Sequence, residues 1–141
     1  MATYDNLPVY KVSYDLLLHL FQISKNMDRD YRFTIGESLK NEMVQLILNV
    51  YRANCRESKL DLITAARENI EVARLLLRLL NDLKQLGLKE FVSANERIES
   101  ISKQLSAWSA SQSKQSTAQP KKNKLQDRSQ EGSITFPECA D

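Results

Sequence analysis

Apolar and polar positions alternate along most of this chain with the period of a helix. The densest stretch is Leu60–Leu83, LDLITAARENIEVARLLLRLLNDL, which has no Gly or Pro and is rich in Leu, Ala, Arg and Glu. Such side chains lose little rotamer freedom in a helix. On a helical wheel Leu62, Ala66, Ile70, Ala73, Leu77 and Leu80 form a broad apolar face. Leu75, Leu76, Leu79 and Leu83 widen it beyond the stripe that a one-sided surface helix needs. These four leucines are therefore expected to serve bundle packing, an oligomer interface, or both.

Three further helices follow from the same period. Val9, Leu16, Leu20, Ile23 and Met27 make one seam, with Tyr10, Tyr14, Leu17 and Phe21 beside it, and Pro8 suits a first helical turn. This predicts a first helix over about 8–27. DRDYRF (28–33) reads as a charged loop. Thr34 and Glu37 then match a capping box, so a second helix is expected over about 35–56, with Leu39, Met43, Leu46, Ile47, Val50 and Tyr51 inward. Gly36 in its first turn points to a close neighbour. Ser58 with Asp61 repeats the start signal for the third helix, about 59–85, and Gly87 is placed to end it. Beyond it Phe91, Ile98 and Leu105, and likewise Ala94, Ile101 and Trp108, recur every seven residues. This predicts a fourth helix over about 88–110 that packs at a shallow angle, with Trp108 among its packing residues.

The expected fold is all-α: an up-down-up-down antiparallel four-helix bundle over residues 1–110, assembling as a ring or barrel-like homo-oligomer. Residues 111–141 are rich in Ser, Gln and Lys with few apolar positions, and read as a disordered tail.

Composition narrows the functions. Only three glycines and three prolines occur among 141 residues, which fits long helices. The net charge is +2, and residues 1–111 carry 15 basic against 14 acidic side chains, so overall charge gives no argument for nucleic acid. The two cysteines, Cys55 and Cys139, are too few for a disulfide framework and too far apart for a metal site. His19 has no Cys or second His near it, and reads as a solvent-facing or partly packed imidazole. There is no Gly-rich phosphate loop, no Glu-x-x-His pair, and no Ser/His/Asp or Cys/His set. No catalysis, metal or cofactor is expected. MATYDNLPVYK lacks the pattern of a signal peptide and no apolar run is long enough to span a bilayer, so a cytoplasmic protein without membrane contact is expected.

Arg67, Arg74 and Arg78 fall within about 40° of one another on the third helix. Two readings stay open. Glu71 and Asp82 sit at ion-pair spacing from them, which makes a salt-bridged edge. Alternatively the arginines form a basic strip against nucleic-acid backbone, which Arg29, Arg32, Arg52 and Arg56 would widen.

Three segments carry a family resemblance. Tyr31–Leu39, YRFTIGESL, resembles the opening of the second helix in a family of small four-helix-bundle proteins. Leu75–Leu80, LLLRLL, resembles its Leu/Arg-rich third helix, and Lys103–Trp108, KQLSAW, its closing element. That family joins the accessory variability determinant (Avd) proteins of diversity-generating retroelements to proteins encoded by intervening sequences in bacterial 23S ribosomal RNA genes. The likeness covers roughly residues 8–110 and is nearer the Avd branch. It implies a homopentamer that binds the retroelement's reverse transcriptase and template RNA or DNA in mutagenic retrohoming, without enzymatic activity of its own. Arg74 and Arg78 match arginines of the family's third helix and Arg32 the one before Phe33. Ser106-Ala107 replaces a glycine pair, and the body is nearly neutral where Avd proteins are strongly basic. The alternatives are an intervening-sequence protein and a helical oligomerisation module without nucleic-acid binding.

Overall fold

The computed structural model describes residues 7–118, with side chains through residue 114. Four long helices form a bundle, and no strand occurs among the described residues. Helix α1 is Pro8–Ser24. Helix α2 runs without a break through Arg29–Tyr31, a π-helical turn Arg32–Gly36, and Glu37–Cys55. Helix α3 is Leu60–Asp82 and α4 is Leu88–Ala118. Helices α1 and α3 each pack against both α2 and α4, so α1 and α3 sit across the bundle from one another.

Each helix buries one heptad-spaced stripe. The stripe is Val9, Ser13, Leu16, Leu20 and Ile23 on α1, and Leu39, Met43, Leu46, Val50 and Ala53 on α2. On α3 it is Ile63, Ala66, Ile70, Ala73, Leu77 and Leu80, and on α4 Ala94, Ile98, Ile101 and Leu105. Spacings of alternately three and four residues keep one seam facing the neighbours along the whole helix. Ile63 is fully buried where Leu62 was expected, and Leu62 is only half-buried. Trp108 and Leu76 pack against the core from its margin.

The helix ends differ from the sequence reading. Helix α1 stops at Ser24, and Met27 enters the core from a tight turn in which the amides of Lys25, Asn26 and Met27 donate three residues back. The expected loop 28–33 is instead the start of α2, because Asp28 carries the extended backbone that precedes a helix. Thr34 lies inside that helix and its hydroxyl donates to the Asp30 carbonyl at 2.5 Å, so the capping box is not formed. Gly36 is buried as expected: a Cβ there would stand 3.3 Å from Met27 Sδ and from the Tyr31 carbonyl. Ser58 likewise forms no cap, since α3 begins after Lys59 without a side-chain cap bond.

Gly87 does not end α3. That helix closes at Leu83, and Lys84 takes the left-handed conformation with φ 62°. The Lys84 amide donates to Asn81 and the Gln85 amide to Leu80, the pair of bonds of a Schellman motif. Gly87 opens α4: its carbonyl accepts from the Phe91 amide, and its own amide donates to Glu90 Oε1 at 2.9 Å. A glutamate at the third helical position reaching back in this way is half of a capping box. Helix α4 also continues two turns past Ala110, so residues 111–118 are helical rather than tail. The remainder of the expected disordered tail, 119–141, lies outside the described residues.

Two polar contacts fix helix positions. Asn49 Nδ2 donates to Asn69 Oδ1 (2.8 Å) and Asn69 Nδ2 to Glu42 Oε1 (3.0 Å), joining α2 to α3. The Asp28 amide donates to Gln85 Oε1 (2.8 Å) while Gln85 Nε2 donates to Asp28 Oδ2 (3.2 Å), tying the α1–α2 turn to the α3–α4 turn.

A lysine at the left-handed position carries a steric penalty that glycine avoids, about 1 kcal/mol. Lys84→Gly should therefore raise the free energy of unfolding by about 1 kcal/mol, read from urea midpoints at constant slope. An unchanged midpoint would show that no strain is held there.

Candidate nucleic-acid interface

Helix α3 offers three different faces. One is the core stripe. A second, reached by stepping one residue on from core positions, carries Arg67, Glu71, Arg74 and Arg78 after Ala66, Ile70, Ala73 and Leu77. This edge turns toward α4. Arg67 Nη1 donates to Ser109 Oγ at 3.4 Å. Arg74 forms ion pairs with Glu71 on its own helix (3.2 Å) and with Glu99 of α4. Ser102 Oγ of α4 lies 3.5 Å from Glu71 Oε2, at the limit of a hydrogen bond. Thr64, Arg67, Glu68, Glu71, Val72 and Ser102 line a shallow open groove there.

The two readings of the arginines therefore divide by residue. Arg74 is part of an ion-pair edge, held between two carboxylates. Arg78 is exposed and, among the described residues, makes no ion pair with Asp82 or any other acid. Arg67 is exposed and, among the described residues, bound only to a neutral hydroxyl. Glu71 takes Arg74 rather than Arg67. Glu99, the cross-helix partner, had no role in the sequence reading.

Arg32 and Arg52 lie apart from that edge, near opposite ends of α2. Arg32 is half-buried: Nη2 donates to the Met27 carbonyl (3.2 Å) and the guanidinium sits 5.5 Å from the Phe33 ring centre. It thus satisfies a carbonyl of the turn that follows α1, and packs on an exposed aromatic. Arg52 lies in the last turn of α2, where a cation complements the helix dipole. Leu75 and Leu79 are exposed, the former at 65%, and Leu83 is half-buried. Of the expected packing residues, then, Leu76 and Trp108 border the core while Leu75 and Leu79 face away from it.

Among the described residues no group of His, Cys, Asp and Glu is arranged to hold a metal ion, and no helix is long and apolar enough to cross a membrane. Burial draws the His19 imidazole below its ordinary pKa; Arg97 adds to that and Glu90 opposes it. Among the described residues His19 Nε2, Arg32 Nε and Arg97 Nη1 are buried without a hydrogen-bond partner. Burial also draws the Lys59 ammonium down.

Four helices around a heptad-patterned core, with a mixed-charge edge shared by α3 and α4, define a small helical-bundle protein. Within that class a family model described as bAvd-like matches residues 9–112, and the chain belongs to this family. It is thereby placed among Avd-type accessory proteins, the branch that the motifs at 31–39, 75–80 and 103–108 pointed to. No curated protein matches the chain.

The His19 shift has a definite sign. The folded state holds the imidazole proton less tightly than the unfolded state, whose pKa is near 6.5. Unfolded chains then bind more protons as pH falls through about 6.5, so stability is lost on acidification and fully restored above it. In urea unfolding at about pH 7.5 and about pH 5.5, the parent should lose more stability than His19→Gln. Equal losses would remove His19 as the source.

Proposed function

We propose that this chain is the accessory protein of a diversity-generating retroelement. It binds the element's reverse transcriptase and the template RNA or DNA, and so supports mutagenic retrohoming in the cytoplasm. The observation that carries this reading is the bAvd-like match, which spans all four helices.

The assembly we propose is a homopentameric ring of up-down-up-down antiparallel bundles. The cross-helix pairs 67–109, 71–102 and 74–99 support the antiparallel arrangement, since residue numbers rise on α3 as they fall on α4. Short connections at 25–28, 56–59 and 83–87 support it too. The exposed Leu75 and Leu79 support association.

On this reading Arg67 and Arg78 meet phosphate directly, while Arg74 offsets Glu71 and Glu99 so that the edge is not acidic. Arg32 and Arg52 contribute from α2. A ring repeats the same edge on every subunit, and this makes up for the near-neutral charge of a single body.

Light scattering should give a mass of about five times 16.2 kDa; a single-chain mass would sink the assembly. Fluorescence anisotropy of a labelled structured RNA should show tighter binding than the nonspecific level of about 10⁻⁴ to 10⁻⁶ M at physiological salt. Arg67→Glu with Arg78→Glu should weaken it by about tenfold or more and flatten the salt dependence by about two phosphate contacts per subunit. Arg74→Ala should weaken it also, by leaving Glu71 and Glu99 unpaired on the same edge. RNA affinity at or below the nonspecific level in the parent would overturn the nucleic-acid role.

A further inference from the structure

The third face of α3 points directly away from the core and is apolar. Val72, Leu75 and Leu79 are exposed on it, spaced three and four residues apart, and Glu68 and Asp82 bracket them. Helix α1 carries a counterpart. Tyr14, Leu18 and Phe21 are exposed on its outer face with the same kind of spacing, and Lys11 and Lys25 bracket them. The two stripes match in length, since Lys11 and Lys25 are fourteen positions apart and so are Glu68 and Asp82. That is about 21 Å of helix.

Their charges are opposite at both ends. Among the described residues none of these four bracketing side chains takes part in an ion pair. Lys40 reaches over the Phe21 ring at 4.6 Å, but it is paired with Glu37 of its own helix (3.5 Å) and adds no free charge to the α1 stripe. Because α1 and α3 lie across the bundle from each other, the two stripes face opposite sides of the subunit. One chain cannot bring them together, but two chains can.

We infer that the α1 stripe of one copy docks on the α3 stripe of a second copy, with Lys11 and Lys25 set against Glu68 and Asp82. This pairing of brackets holds whichever way the two helices run. A contact between two different surfaces on opposite sides is heterologous: each copy takes one neighbour on α1 and another on α3, and closure gives a ring. Apolar side chains supply the drive, and the brackets fix the register and exclude α1-on-α1 and α3-on-α3 contacts, which would oppose like charges. The inference rests on the self-assembly proposed above and adds the surfaces that make it.

The test is the mass of full-length chains in solution. Leu18→Glu and Leu75→Glu, both at exposed positions, should each lower the mass to the 16.2 kDa of one chain while helical circular dichroism and melting temperature stay at parental values. Lys11→Glu with Lys25→Glu should weaken assembly about tenfold or more, as should Glu68→Lys with Asp82→Lys. All four substitutions in one chain should restore it. A parental mass in folded Leu75→Glu, or no recovery in the fourfold variant, overturns the inference and leaves self-assembly standing through other surfaces. A parent that is itself a single chain overturns self-assembly.

Discussion

Heptad-phased burial is the constraint from which the other features follow. Once Ile63, Ala66, Ile70, Ala73, Leu77 and Leu80 are turned inward, every other residue of α3 has its direction fixed. Each large core side chain taken from water contributes about 1.5–3 kcal/mol, far more than an exposed ion pair, worth about 0.2–1 kcal/mol. The core therefore decides the rotation of each helix, and the polar groups accept the result. Residues one step beyond a core position flank the seam, and those halfway round face away. The arginine edge and the outer apolar stripe are these two classes of position on one helix.

This explains how much of the molecule could be read from sequence. Periodicity alone locates four helices, and the seven-residue recurrence of Phe91, Ile98, Leu105 and of Ala94, Ile101, Trp108 gives the inward face of α4. Helix ends were harder, because capping residues are judged locally while the ends obey the whole bundle. Thr34 and Glu37 have the right spacing for a cap, yet the chain is already helical from Arg29 and Thr34 bonds backward to Asp30. Gly87 has the right chemistry to end a helix, but it sits beside Glu90, and it is the less suited Lys84 that takes the left-handed turn. A choice between Leu62 and Ile63 depends on where the stripe drifts over six turns, which a wheel drawn at a fixed angle does not resolve.

The candidate interface was legible by type and not by partner. Arg67, Arg74 and Arg78 all follow core residues of α3, as Glu99 and Ser102 follow core residues of α4, while Ser109 is itself buried four residues after Leu105. That these flanks meet is visible once the stripes are phased. That Arg74 meets Glu99 requires the register of one helix along the other, which no local pattern contains. The consequence is chemical: of three arginines that look equivalent on a wheel, Arg74 is tied up between carboxylates, Arg67 donates to the Ser109 hydroxyl, and Arg78 makes no ion pair among the described residues. The family match carries the functional class, while the geometry ranks the residues within it.

The three faces of α3 are compatible in space, and this bears on how assembly and nucleic-acid binding could be combined in so small a chain. The core stripe and the outer stripe are nearly opposite on the helix, and the arginine edge lies between them on the α4 side. Docking through Val72, Leu75 and Leu79 would leave Arg67 and Arg74 beside the contact rather than beneath it. Arg78, nearest the outer stripe, would sit at the rim. A rim charge keeps its water and some of its freedom, so it can still meet a phosphate, whereas a guanidinium under the stripe would have to be desolvated and paired. On the proposed assembly, placing the arginines one step from the core, and the leucines opposite it, would let one helix serve interior, neighbour and ligand without any side chain having to do two of these at once.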